Sequence, residues 1–402
     1  MTASTTIIGG GIGGFTVARE LRAKGVDAPI TIIDPEGTPY DRPPLSKDVL
    51  AGTKDHDALR FVPEDWYAEN NVTVVKDKVV RIDGKNKTLV LEKTEPLPYE
   101  NLVLATGGFA RIGKTPGFEE HTTVLRTFDD ALALRSAMGK GKRLGIVGAG
   151  LIGAEVAAQA QELGTEVILI DPAPVSLIPA VGEELAKRLH DLHAAHNVKF
   201  VRGMTTEITA EGDHKTIHVD GDDSYEVDHV LLCIGLIPEV ALAESLGLDI
   251  DNGVIVDKQQ RTSLPGVWAV GDCARLRNED GTLERRHEHW DSAVQDAKVA
   301  AASIAGVDAP KGSAPWFWSD RYGVHVEGVG DMSAPGETFI RPDEDGNPAV
   351  AFRVADGSKL VGAASYNDSN AVRAARRIID REIPVTPSKL IDPSIQLKKL
   401  AR

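Results

Sequence analysis

Two copies of one glycine fingerprint, each set between a strand and a helix, constrain this chain more than any other feature. The first is Gly9-Gly10-Gly11-Ile12-Gly13-Gly14, preceded by an apolar run over 5–9. The second is Gly148-Ala149-Gly150-Leu151-Ile152-Gly153, preceded by a second such run over 143–147. In each copy the three glycines have separate tasks. Gly9 and Gly148 permit a tight turn, Gly11 and Gly150 let a pyrophosphate approach the backbone, and Gly14 and Gly153 let helix and strand pack closely. An acid ends the second strand of each unit: Asp34, 20 residues past Gly14, and Asp171, 18 past Gly153. Both are placed to accept hydrogen bonds from a ribose. Two such units imply two dinucleotides, a combination that suits a flavin and a nicotinamide exchanging a hydride.

Asp171 also bears on which nicotinamide. Its carboxylate accepts from a 2′-hydroxyl and repels a 2′-phosphate. No arginine occurs between Asp171 and Lys187 to neutralise such a phosphate. NADH is favoured over NADPH.

The patterning predicts a βαβ start, with a helix over 13–24 and a strand over 30–34. The proline-rich segment 39–44 reads as loop. Strands follow over 72–75, 88–91 and 102–105. The pattern then restarts, with strands over 143–147 and 166–170 around a helix over 154–163. Further buried strands are expected over 230–234 and 267–270, then a helix over 291–304. From about residue 311 the character changes to strands over 323–329, 350–354 and 360–365, a helix over 369–381 and a basic tail, the pattern of a small α+β domain.

Composition narrows the chemistry. The formal net charge is -15, which argues against nucleic acid or an anionic membrane as partner. The two cysteines, Cys233 and Cys273, stand 40 positions apart. That spacing provides no disulfide framework, no thiolate zinc or iron–sulfur site, and no redox pair of the CxxC kind. No metal site is expected. The start, Met1-Thr2-Ala3-Ser4-Thr5-Thr6, has neither a basic segment nor an apolar core of a signal peptide, and no stretch is apolar enough to span a membrane. The expected location is the cytoplasm.

Several strings carry a family likeness. They are Pro39-Tyr40-Asp41-Arg42-Pro43-Pro44-Leu45-Ser46-Lys47, Ala105-Thr106-Gly107, Arg126-Thr127, the second fingerprint with Glu155, Gly271-Asp272-Cys273, Trp290, Pro315-Trp316-Phe317-Trp318-Ser319-Asp320 and Asp392-Pro393-Ser394. With them the chain resembles the oxygenase-coupled NADH-dependent ferredoxin reductases, flavoproteins of the glutathione-reductase-like class. The likeness runs over essentially the whole chain, and the 39–47 string is its most specific part. It implies an α/β protein with two Rossmann-like dinucleotide-binding domains and a C-terminal α+β domain. The FAD domain, 1–108 and 235–310, would be split around an NAD domain, 109–234, with an interface domain over 311–402.

The resemblance also implies roles. Asp272, after Gly271, would bind the ribityl chain of FAD. Lys47 and Arg42 would flank the isoalloxazine, where a cation stabilises the electron-rich reduced ring. Glu155 would help place the nicotinamide carboxamide and pair with Lys47, although a carboxylate in a first helical turn also has a plain dipole explanation. Trp316 and Trp318, two apart in a strand, point to one face. One should pack in the core and the other should lie near the rings. Thr106, Gly107 and Arg126 would contribute to FAD binding, and Val79, Glu288 and Trp290 would make backbone or packing contacts at the flavin.

The implied partner is a [2Fe–2S] ferredoxin serving a Rieske oxygenase or a cytochrome P450. Such ferredoxins are usually acidic, so an acidic reductase needs a local basic surface. Arg373, Arg376 and Arg377 share a helix face at i, i+3 and i+4 and are the candidates, with Lys398, Lys399 and Arg402 nearby in sequence. A rubredoxin reductase and a redox-sensing protein resembling apoptosis-inducing factor are the competing readings. A thiol-dependent reductase or peroxidase is disfavoured, because the segment after Asp34 holds no cysteine.

Overall fold

A computed structural model describes residues 3–402; Met1 and Thr2, the start of the segment read above for a leader, lie outside the described residues. The chain divides into two compact units. The first comprises Met1–Arg42, Asp55–Phe109 and Leu236–Gly312, and the second Pro43–Lys54, Ala110–Gly235 and Ser313–Arg402.

The first unit is built on a five-stranded parallel sheet. Its order is Val267–Ala269, Asn101–Leu104, Thr5–Ile8, Ile30–Asp34 and Val72–Lys76. Thr5 lies opposite both Ile30 and Asn101, so the first strand of the chain is the centre of its sheet. That strand is buried along its whole length, which is why it reads as an unbroken run rather than an alternation. The helix Ile12–Ala23 packs against the helix Trp290–Ala305, with Gly13 close to Ala293. Fully buried Phe15 stacks on Phe61 with centroids 4.7 Å apart. An antiparallel sheet of Val79–Asp83, Thr88–Leu91 and Leu97–Pro98 completes the unit's main sheets.

The second unit repeats the parallel motif. Its four-stranded sheet runs Lys199–Arg202, Glu166–Asp171, Arg143–Val147 and His229–Leu232, with the helix Leu151–Glu162 as crossover. A three-stranded antiparallel sheet, Thr205–Glu211, His214–Val219 and Asp223–Val227, lies in the same unit. The C-terminal part is a five-stranded antiparallel sheet ordered Trp316–Arg321, Val324–Gly330, Lys359–Tyr366, Pro348–Ala355 and Glu337–Pro342. The helix Ser369–Asp380 buries Ala371, Val372, Ala374, Ala375 and Ile378 against it. Asp368 starts that helix by accepting from Ala371 N at 3.0 Å, an N-cap that offsets one orphan donor.

The α/β class with a C-terminal α+β part is as the sequence implies. Local details differ. The 39–44 segment runs into a 3-10 turn, Pro43–Ser46, because proline's fixed φ suits the first residues of a helical turn. The strand expected over 323–329 begins at Val324, since Tyr322 and Gly323 form the turn with φ of 51° and 71°. The edge strand Glu337–Pro342 was not expected; its alternation is weak, with every residue from Thr338 onward half-buried.

Candidate active site

Both fingerprints fold into the same local device. In the first, a Cβ on Gly9 would lie 2.2 Å from Ala105 O, and one on Gly14 would lie 2.0 Å from Gly9 O. In the second, a Cβ on Gly148 would meet Cys233 O at 2.3 Å, and one on Gly153 would meet Gly148 O at 2.0 Å. Gly9 and Gly148 also hold φ of 106° and 104°, which side chains rarely tolerate. These four glycines are demanded by the protein's own packing. Gly11 and Gly150 are different: a Cβ on either meets nothing within 4 Å. Neither protein packing nor a positive φ requires glycine there, whereas a closely approaching pyrophosphate would. Gly11 and Gly150 are also the N-caps of Ile12–Ala23 and Leu151–Glu162, and no side chain caps either helix end. Each cradle therefore offers backbone N–H groups and a helix N-terminus to an anion.

The acids are held alike. Asp34 Oδ2 accepts from Gly10 N at 2.7 Å and Oδ1 from Glu36 N at 2.8 Å. Asp171 Oδ2 accepts from Ala149 N and Oδ1 from Ala173 N, both at 2.8 Å. Each carboxylate is fixed in orientation and keeps lone pairs for ribose hydroxyls.

Other predicted positions of the first unit have these surroundings. Thr106 Oγ1 donates to Glu239 O at 2.7 Å, and Gly107 has a φ of 65°. Arg42 donates to Glu36 Oε1 at 2.7 Å and lies over the Tyr40 ring at 5.2 Å. Gly271 and Asp272 form a 3-10 turn, whose Asp272 O accepts from Arg286 at 2.7 Å. Arg286 also pairs with Glu288 at 2.9 Å. Trp290 Nε1 donates to Asp41 Oδ1 at 2.9 Å, and the Val79 side chain belongs to the core. One neighbour was missed. Asp296 Oδ2 accepts from Gly271 N at 3.1 Å and Oδ1 from the Gln260 amide at 3.2 Å. Burial, with Asp272 nearby, pushes its carboxyl up to about 7. Sequence alone offered only a helical aspartate.

In the second unit Lys47, Glu155 and Trp318 come together. Lys47 Nζ lies 3.3 Å from Glu155 Oε1, 2.9 Å from Asp320 Oδ2 and 5.2 Å from the centre of the Trp318 ring. Glu155 is the fifth residue of its helix and has no first-turn role; it is 6% exposed and held by side chains. Ser46 Oγ donates to Oε2 at 2.6 Å, and Ser319 Oγ and Asp320 N donate to Oε1 at 2.7 and 3.2 Å. Buried Arg321 supports Ser319 by donating to its Oγ at 2.9 Å. A buried carboxylate with so many donors is oriented and compensated rather than merely tolerated. Two of the three Lys47 donors face carboxylates, leaving one for an external acceptor.

The tryptophans share a face, their rings stacked 5.0 Å apart. Trp316 packs against the C-terminal core and donates to Glu327 at 3.0 Å, whereas Trp318 is the one beside Lys47. Arg126 is half-buried, and its backbone N donates to Asp130 Oδ2 at 3.0 Å. Arg373 and Arg377 are exposed on Ser369–Asp380, but Arg376 is half-buried, so the outward basic face is narrower than the i, i+3, i+4 spacing suggests. Ser46, Ser319 and Asp320 lie within the strings that carry the family likeness but were given no role, and Arg321 directly follows the last of those tryptophan-bearing residues.

Neither cysteine is a reactive thiol. Burial pushes Cys233 up to about 12 and raises Cys273 as well, so both stay protonated. No group of three or more metal-ligating side chains occurs among the described residues, and no described helix is long and apolar enough to cross a membrane.

Comparison with known proteins identifies the family. Residues 3–297 match the pyridine nucleotide-disulphide oxidoreductase family, and residues 316–401 match the reductase C-terminal family. The chain is 35% identical over 400 residues to the ferredoxin–NAD(+) reductase component of an anthranilate 1,2-dioxygenase system from Burkholderia cepacia, covering 98% of each chain. Among solved structures, it resembles the ferredoxin reductase for the CYP199A2 system from Rhodopseudomonas palustris, with a TM-score of 0.94, 33% identity and full coverage of both chains. It also resembles putidaredoxin reductase in its covalent complex with putidaredoxin, with a TM-score of 0.92, 29% identity and coverage of 99% and 98%. The cofactors are FAD and NADH, the two cradles fit two dinucleotides, and the chain belongs to the oxygenase-coupled NADH-dependent ferredoxin reductases within the pyridine nucleotide-disulphide oxidoreductases.

Proposed function

We propose that the protein takes two electrons from NADH through FAD and passes them singly to a [2Fe–2S] ferredoxin serving a Rieske oxygenase or a cytochrome P450. The observation that carries this is the pair of matched cradles in a chain whose only two thiols, buried Cys273 and half-buried Cys233, are both raised in pKa by desolvation and stay protonated. Bound FAD supplies the conversion of a two-electron donor into a one-electron source.

The chain's own groups supply binding and alignment. Gly9, Gly11, Gly14 and Asp34, with Val79, Thr106, Gly107, Arg126, Gly271, Asp272, Glu288 and Trp290, are assigned to FAD. Gly148, Gly150, Gly153 and Asp171 are assigned to NADH. By the family likeness, Lys47 and Arg42 would each supply positive charge to the flavin, Glu155 would accept from the nicotinamide carboxamide, and Trp318, with Trp316 stacked on it, would lie near the rings. No protein group has to abstract a proton from substrate, so catalysis consists of alignment and electrostatics. In domain terms, 1–108 and 235–310 would hold FAD, 109–234 NADH, and 311–402 would form the ferredoxin interface.

The partner is an acidic ferredoxin docking on Arg373 and Arg377, with Arg376 beside them; the exposed Lys398, Lys399 and Arg402 add to the same charge. A cytoplasmic location accords with the use of NADH. The test is purified protein with NADH and a panel of iron–sulfur acceptors, with cytochrome c as the final sink. Fast single-electron reduction of a [2Fe–2S] ferredoxin supports the reading. Preference for rubredoxin would replace the acceptor. Slow reduction by NADH with a long-lived charge-transfer complex would instead indicate a redox sensor.

A further inference from the structure

The Lys47 cluster does not end at Asp320. Asp320 Oδ1 lies 2.5 Å from His325 Nδ1, and His325 Nε2 lies 2.9 Å from Glu327 Oε1. Asp320 and His325 are direct cross-strand partners, and Glu327 is the next residue on the His325 face of its strand. Glu327 in turn accepts from Trp316 Nε1 at 3.0 Å and from the Ser369 side chain. From the chain segment after the sheet, Asn367 Oδ1 accepts from the His325 backbone N at 2.7 Å. The charged groups facing the imidazole are thus Asp320 on one side, with Lys47 behind it, and Glu327 on the other.

Both ring nitrogens meet carboxylate oxygens. A neutral imidazole has one donor, so one carboxylate would face a lone pair; the imidazolium satisfies both. Charge balance points the same way. Glu155, Asp320 and Glu327 face Lys47 and Arg321, and the cluster is neutral only when His325 is cationic. Burial alone would lower the His325 pKa, but hydrogen bonds to Asp320 and Glu327 outweigh it and raise the value above 6.5. The cation is present below that raised value and is lost as pH rises through it.

We propose that His325 is a positioning residue for Lys47: as a cation it bridges Asp320 and Glu327, and by fixing Asp320 it sets where the Lys47 ammonium sits between Asp320 and Glu155. Deprotonation removes one of the two charge-assisted bonds and frees Asp320 to pull Lys47 from its place. The inference rests on the proposed role of Lys47 in the reductive half-reaction.

The experiment uses holoenzyme and two readouts. In the first, ring-labelled histidines are titrated by NMR, with His325 identified by the signal lost in His325→Gln. His325 is expected to titrate above 6.5, and Asp320→Asn and Glu327→Gln are each expected to lower it. In the second, anaerobic flavin reduction by NADH is followed against pH. Wild type should show a rate limb falling as pH rises through the NMR value. His325→Gln should lack that limb and be about tenfold slower below it, the order expected for losing one charge-assisted hydrogen bond. His325→Arg, which stays cationic and can bridge two carboxylates, should restore the rate and abolish the limb. Glu327→Gln should move the limb down in step with NMR. A His325 that titrates at or below 6.5, or a limb that persists in His325→Gln, overturns the proposal. So does a His325→Arg protein that holds flavin but is as slow as His325→Gln. Failure of NADH to bleach the wild type would instead overturn the reading of Lys47, and the NMR titration would still decide the bridge.

Discussion

At the scale of single residues, the six fingerprint glycines divide into two kinds, and the division is testable. Gly153→Ala places a methyl 2.0 Å from Gly148 O, so the strand–helix junction must shift and thermal stability should fall sharply. Gly150→Ala meets no protein atom, so its melting temperature should stay near wild type while the Kd for NADH rises at least about tenfold. A Gly150→Ala protein that binds NADH normally would contradict the cradle assignment. Asp296 gives a second test. Its carboxyl, raised to about 7 in the folded chain, binds a proton there that the unfolded chain releases near pH 4. Stability therefore declines as pH rises between those values. Asp296→Asn should flatten that part of the melting-temperature profile, and an unchanged slope would show that the acid is ionised throughout. Such positions also mark how far sequence could be read. Gly9, Gly14, Asp34 and Asp171 were legible because motif spacing alone fixes them. Asp296 and His325 were not, because their significance comes from partners brought in by other segments.

At the scale of elements, the hairpin Trp316–Arg321 and Val324–Gly330 organises the Lys47 cluster. Its two-residue turn, Tyr322-Gly323, has both φ angles positive, the geometry that matches the natural twist of paired strands. Tyrosine is an unusual first residue for that turn, so the sequence pattern did not announce the register that puts Asp320 opposite His325. The helix Ser369–Asp380 was legible, because buried Ala371, Val372, Ala374, Ala375 and Ile378 follow a helical period. Its basic face was only partly so: the spacing groups three arginines, while the structure leaves two of them fully outward. Arg373→Glu with Arg377→Glu should raise the KM for an acidic ferredoxin about tenfold or more at low salt, with the difference shrinking as salt screens the charges. NADH-dependent ferricyanide reduction should be unaffected. An unchanged KM at low salt would remove this helix from the docking surface.

For the whole molecule, duplication explains most of what the chain can do. Two parallel sheets, each with a glycine cradle and an acid pinned by backbone N–H groups, build two nucleotide sites from one recipe. The fold class was legible for that reason, since each copy corroborates the other. The second copy is also assigned the choice of nicotinamide: Asp171→Asn should weaken discrimination against NADPH by removing the charge, while its single amide oxygen keeps only one of the two hydrogen bonds from Ala149 N and Ala173 N. An unaltered NADH to NADPH ratio of kcat/KM would contradict that role. The central claim is that NADH reduces the bound flavin with no thiol relay and that the electrons then leave singly. It is tested most directly by mixing the anaerobic holoenzyme of Cys233→Ser with Cys273→Ala against NADH, then against oxidised [2Fe–2S] ferredoxin, in a rapid-mixing spectrophotometer. The yellow flavin should bleach at the wild-type rate and recover as two equivalents of ferredoxin are reduced. A folded, yellow double variant that NADH no longer bleaches, or that bleaches but delivers no electrons to ferredoxin, would contradict it.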